Sequence, residues 1–271
     1  MRDVLVRVRD LSHWGDICAY AADIAARTNG TLTGVYVEPV PLPIAVPGAG
    51  ADVVVAAQQS TRVDMDHAAR DFVTWATQVG ARQAFWQVAE GDAPKVLARL
   101  SASHDLLVVG RDPYEPLASV AELGEIVVAS RAPVILAPSR RRDAMLGCIA
   151  VAWNHSQEAL AAIHAARPLL AHATKIVLLE GGAPDLRAQH GWNPPFDIMR
   201  YMSWQGFRVE RHAIRGESNE AGEMLVRAAR RHGAGLLVMG AYGRSRISEW
   251  ALGGATRAVL FDASLPVFLK H

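Results

Sequence analysis

The chain has 271 residues, 51% of them apolar, and a formal net charge of +1. That is enough apolar material for one or two domains with full cores, and it gives no electrostatic case for nucleic acid or an acidic membrane surface as partner. Two cysteines, Cys18 and Cys148, are too few for a disulfide framework, and no apolar run approaches the ~18 residues a membrane span needs. Met1-Arg2-Asp3 leads straight into a strand pattern without a signal-peptide pattern, so a cytoplasmic protein is expected, with both thiols buried among apolar neighbours.

In chain order, residues 4–8 read as a strand, and Ile17, Ala21, Ile24 and Thr28 mark one face of a helix ended by Asn29-Gly30. A second strand covers residues 32–37. The stretch 38–50 contains Pro39, Pro41, Pro43 and Pro47, which excludes a helix interior or a central strand. A long helix follows, with Met65, Ala69, Phe72 and Ala76 on its apolar face and a stop at Gly80. Then come a strand at 84–88, a helix at 94–100 capped by Asp92, and strands at 106–109 and 134–137. Trp75 and Trp86 are assigned to the core of this half. The order then repeats: strand 149–153, a helix through Ala159, Ile163, Ala166 and Leu170, and strand 176–179. A loop and short helix lead to Gly206, followed by strand 207–213, helix 221–232, strand 236–239, helix 255–261 and a closing strand at 267–269.

Two motifs recur. Asp105-Leu106-Leu107-Val108-Val109-Gly110 mirrors Gly235-Leu236-Leu237-Val238-Met239-Gly240, and Ala132-Pro133-Val134-Ile135-Leu136 mirrors Leu265-Pro266-Val267-Phe268-Leu269. The polar stretch Ser139-Arg140-Arg141-Arg142-Asp143 lies between the copies. The expected architecture is therefore α/β, with two tandem doubly wound parallel-sheet (Rossmann-like) domains of five strands each, at 1–140 and 145–271. Ligands of such sheets bind beyond the carboxyl ends of the strands.

The second copy carries a glycine-rich stretch at that end, residues 240–256, GAYGRSRISEWALGGAT. Gly240 and Gly243 follow the strand, and Gly253 and Gly254 open a helix. Glycines admit a phosphate close to backbone N–H groups, and a helix N-terminus adds unsatisfied donors and a favourable dipole. The spacing G-x2-G-x9-G resembles the phosphate-binding motif of the universal stress protein family, and the flanks, Leu237-Val238-Met239 and Leu265-Pro266-Val267-Phe268, agree with it. The resemblance covers both copies. It implies an adenine nucleotide, ATP or AMP, with Mg²⁺ when the triphosphate is bound, at one site in the second copy. Its ligands would be Asn154, Met239, Gly240, Gly243, Arg244, Gly253, Gly254, Ala255 and Thr256.

Two positions depart from the family pattern. Gly254 stands where the nucleotide binders carry Ser or Thr, and Asn154 stands where they carry an Asp that accepts a hydrogen bond from adenine. The first copy keeps that Asp as Asp10 but reads Arg111-Asp112-Pro113-Tyr114-Glu115-Pro116 after Gly110. Pro113 has no N–H to donate, while Asp112, Glu115 and Glu122 add negative charge, so no nucleotide is expected there. Trp153 and Trp250 flank the second crevice, as core residues or as a stacking surface for adenine. The sequence shows no G-x-S-x-G elbow, no G-x-x-x-x-G-K-[ST] loop and no metal-like histidine spacing, which argues for a binding protein with at most slow ATP hydrolysis. The alternative is a stress-response interaction protein that binds no nucleotide and works through its surfaces. Family members with one copy resemble dimers joined through the last strand. An intramolecular pseudo-dimer of the copies is thus implied, with a homodimer of whole chains as a further arrangement.

Overall fold

The computed structural model describes residues 1–11, 14–38, 51–110, 116–139, 143–181, 196–214, 220–241, 254–261 and 264–271. The first half runs β1 (Asp3–Val8), α1 (Asp16–Arg27), β2 (Thr31–Glu38), α2 (Ala51–Gln78), β3 (Gln83–Glu90), α3 (Ala93–Ser101), β4 (Leu106–Gly110), α4 (Pro116–Ala129) and β5 (Val134–Ala137). The second half runs β6 (Cys148–Trp153), α5 (Gln157–Leu170), β7 (Lys175–Gly181), α6 (Ile198–Trp204), β8 (Val209–Ile214), α7 (Ala221–Arg231), β9 (Leu236–Gly240), α8 (Gly254–Phe261) and β10 (Val267–Lys270).

The strands form one sheet in the order β3-β2-β1-β4-β5-β10-β9-β6-β7-β8. Within each half every pairing is parallel, and strand order reverses between β1 and β4 and again between β6 and β9. The halves meet at the only antiparallel pairing among the described strands, with Val134 opposite Leu269, Ile135 opposite Phe268 and Leu136 opposite Val267. Lys270 Nζ reaches across this seam to donate to the Arg131 carbonyl at 2.8 Å.

Alternating residues of the central strands enter opposite cores, which is why those strands read as unbroken apolar runs. Val4, Val6, Ile149, Val151 and Phe268 lie in one core, with residues of α1, α2 and α5. Leu5, Leu107, Ala150, Leu237 and Leu269 lie in the other, with residues of α3, α4, α7 and α8. Both cores run through the seam, so the sequence expectation of two five-stranded units is met as halves of one continuous layer.

The seam leads to a prediction. Residues 145–271 expressed alone would expose β10, a short apolar strand without an inward charge, and should self-associate in light scattering behind a sizing column. A strictly monomeric second half at about 50 µM would contradict this.

Local signals explain the element ends. Asp92 caps α3 by accepting from Lys95 N–H at 3.3 Å, and Ser156 caps α5 by accepting from Ala159 N–H at 3.1 Å. After α1 it is Asn29, at φ 50°, that takes the left-handed turn. Helix α2 begins at Ala51, directly after the proline-rich stretch as expected, and β8 begins at Val209 instead of 207. Trp14, Phe72, Trp75 and Trp86 gather into one aromatic cluster, with ring centroids 5.2–6.2 Å apart. Just past the polar stretch between the copies, Ala144 and Leu146 are buried, and Ala144 N–H donates to Asp23 Oδ2 of α1 at 2.6 Å.

The thiols differ, in part against expectation. Cys18 is buried, and burial pushes its pKa up to about 12. Cys148 is only half-buried because it stands at the start of β6, where its Sγ donates to the His232 carbonyl at 3.4 Å; burial raises its pKa as well. A raised pKa means less thiolate at pH 8, so a thiol reagent should modify Cys148 slowly and Cys18 only on unfolding. Mass mapping of the labelled peptides would check this.

Candidate functional site

The reversal of strand order between β6 and β9 opens a crevice beyond their carboxyl ends, the position where open α/β sheets take ligands. Three sequence-selected residues stand at these strand ends. Asn154 follows β6 and is exposed, Gly240 ends β9, and Met239 precedes it. The Met239 side chain is buried in the core under α7 and α8, so only its backbone faces the strand end. Gly254, Ala255 and Thr256 form the first turn of α8; Ala255 is half-buried and Thr256 is buried. Gly243, Arg244, Gly253 and Trp250 lie outside the described residues, as do Pro113 and the proline-rich stretch 39–50.

Asn154 is held by a local turn: its Oδ1 accepts from Ser156 N–H at 3.2 Å, immediately before Ser156 caps α5. His155 between them takes a left-handed φ of 64°. Gly240 has a packing reason to be glycine. A Cβ there would sit 2.6 Å from Ala159 N and 2.6 Å from the Glu158 carbonyl carbon, so the start of α5 lies directly on the strand end. At Gly110, its counterpart in the first half, a Cβ would sit 2.5 Å from Cγ1 of the Ile17 side chain near the start of α1. Both glycines thus bring a helix N-terminus against the crevice.

Trp153 is a core residue, 3% exposed, and this favours packing over an adenine-stacking role. Its ring lies 5.3 Å from His155 and 6.0 Å from Phe196. Its Nε1 is buried without a hydrogen-bond partner. Beside it, His155 Nε2 approaches Glu180 Oε1 at 3.2 Å, close enough for an ion pair but without hydrogen-bond geometry, and Glu180 also pairs with Arg211. Glu180 is the next-to-last residue of β7 and Arg211 lies on β8. Sequence reading missed this trio because its members come from three separate segments, and only the parallel register of β6, β7 and β8 joins them.

The first half offers a contrast. Its strand-end crevice is a cavity of about 110 Å³ whose lining includes Arg7, Arg9, Asp10, Gly15 and Gly110. Glu122 of α4 reaches both arginines, with Oε1 2.7 Å from Arg7 Nη1 and Oε2 2.8 Å from Arg9 Nη2. The chain's own carboxylate is bound to the cations at that strand end. Among the described residues, no group of three or more His, Cys, Asp or Glu could hold a metal ion, and no helix is long and apolar enough to cross a membrane.

Residues 202–270 match the model of the Universal stress protein family. No curated protein matches the sequence. Among solved structures, a universal stress protein from Archaeoglobus fulgidus is 14% identical with a TM-score of 0.67, the match covering 99% of this chain and 95% of that one. A putative universal stress protein from Pseudomonas aeruginosa is 15% identical with a TM-score of 0.59, covering 99% and 92%. The cytoplasmic domain of a prokaryotic cation chloride cotransporter is 12% identical with a TM-score of 0.50, covering 99% and 94%. At such identities the structures speak for the fold alone. The family match thus covers the last quarter of the chain, residues 202–270, and the fold is shared with solved universal stress proteins along the whole length.

Proposed function

We propose that the chain is a stress-response protein that binds one adenine nucleotide, ATP or AMP, in the crevice between β6 and β9. The observation that carries this reading is the coincidence of the G-x2-G-x9-G spacing with the point where strand order reverses. A segment that starts at Gly240 and ends at the N-terminus of α8 would bring glycine backbone and unsatisfied helix N–H groups to the same strand ends. Gly243, Arg244 and Gly253 in that loop, with Gly254, Ala255 and Thr256 at the helix start, would hold the phosphates. Asn154 Oδ1, already accepting from Ser156 N–H, keeps a second lone pair for the base. Mg²⁺ would come bound to the triphosphate. In the first half Glu122 already pairs with Arg7 and Arg9, which supports a single site per chain.

The second reading, an interaction protein that binds no nucleotide, is favoured by one observation. Gly240 and Gly110 are each explained by helix packing, so the first glycine of the motif is not by itself a mark of phosphate. Small molecules released from the purified protein by denaturation separate the two readings. ATP or AMP in the mass spectrum is the expected result. Their absence, together with no thermal shift on adding ATP, would favour the interaction protein.

A further inference from the structure

We propose that the β3 edge of the sheet is a dimerisation edge, on which a second copy of the chain lays its own β3 antiparallel about Trp86. The sheet has two outer strands, β3 and β8, and they are built differently. Mid-strand charges occupy β8: Glu210 pairs with Lys175 at 2.8 Å and Arg211 pairs with Glu180, both across to β7. Such charges discourage another strand from adding. By contrast β3 is uncharged from Gln83 through Ala89, with Phe85 50% and Val88 43% exposed. It is a long, neutral edge with large apolar side chains on both faces.

Its charges stand at the two ends. Arg82 lies four residues before Trp86 and Glu90 four residues after it, and both are exposed. Among the described residues neither has an ion-pair partner. Antiparallel pairing centred on Trp86 sets each residue opposite its mirror position. Arg82 of each copy then faces Glu90 of the other, twice in one symmetric contact. Phe85 comes to lie opposite Gln87, and Val88 opposite Ala84, so apolar surface is covered on both faces.

Register within the chain adds a second argument. Glu90 lies beside Glu38 of β2, an in-register pair of like charges. Within one chain Arg82 is too far away to offset it, roughly 26 Å along the strand at the usual rise. Only a second copy brings that arginine alongside. The contact is isologous and consumes both β3 edges, leaving the charged β8 edges outermost, so growth stops at two chains.

Charge reversal tests the proposal on the full chain. Sedimentation velocity from about 1 to about 100 µM should show a dimer. Arg82→Glu and Glu90→Arg should each weaken it at least about tenfold, since two symmetric pairs become repulsive. The double variant Arg82→Glu/Glu90→Arg should restore it, a rescue that no contact within one chain can supply. A wild-type monomer throughout this range would overturn the proposal. So would a dimer unaffected by either single reversal, or a double variant that stays monomeric.

Discussion

Gly235→Ala should lower the stability of the full-length protein by about 3 kcal/mol or more, among the largest costs of any single methyl group in this chain. Gly235 precedes β9, where its N–H donates to the Cys148 carbonyl at 2.8 Å. A Cβ there would fall on the Met145 carbonyl oxygen, with the Met145 carbonyl carbon and Cβ both at 2.7 Å. This obstacle is backbone, and it is held from the other side. Ala144 is tied to Asp23 of α1, and Ala144 and Leu146 are buried. The strap between the halves therefore cannot retreat without giving up those contacts. For a protein of this size the loss should lower Tm by roughly 6–12 °C. Gly181→Ala, where an added Cβ meets nothing within 4 Å, is the control and should lie near wild type. Differential scanning calorimetry of the two variants makes the comparison, and equal melting temperatures would mean that the strap is not packed as described.

The parts of the fold legible in the sequence are those buried on both faces. β4, β6 and β9 are unbroken apolar runs because alternate residues enter opposite cores, and the recurrence of 105–110 at 235–240 announces the duplication. The outer strands were harder to bound: β8 is exposed from Glu210 to Ala213, so little apolar pattern marks its ends. Helix α4 was missed because it begins at Pro116 after a stretch read only as a damaged loop. Proline is tolerated in the first turn of a helix, and Val120, Leu123, Ile126 and Val127 then bury one face. No periodicity could have foretold that the halves share one sheet, since that follows from two short edge strands finding each other.

At the site, glycine spacing was legible and its causes were not. Gly240 is fixed by the closeness of α5 and Asn154 by a turn into the same helix. Met239 and Thr256 prove to be buried side chains, which restricts any ligand contact by Met239 to its backbone. The neighbouring trio of His155, Glu180 and Arg211 depends on strand register and lay beyond the reach of local pattern.

Gly243→Asp should abolish ATP binding, weakening it at least about 100-fold. On the proposed reading the second glycine of the spacing would let the backbone approach the phosphates. Aspartate there both fills the space and sets a like charge against them. Because the residue falls between the last residue of β9 and the first of α8, the variant should melt near wild type without ligand. A loss of binding is then separable from a loss of fold. Asn154→Ala should act more mildly, since it removes one acceptor near the base and one turn hydrogen bond, and about a tenfold weakening is expected.

The central claim, one adenine-nucleotide site per chain and in the second half, is tested most directly by titrating ATP into the intact protein in a calorimeter. The account predicts a saturable isotherm with one site per chain, a thermal shift that grows with ligand concentration, and no binding heat for Gly243→Asp. Two sites per chain would contradict the assignment of the first crevice to an internal carboxylate. Absence of both heat and thermal shift at about 5 mM ATP would contradict the nucleotide reading itself.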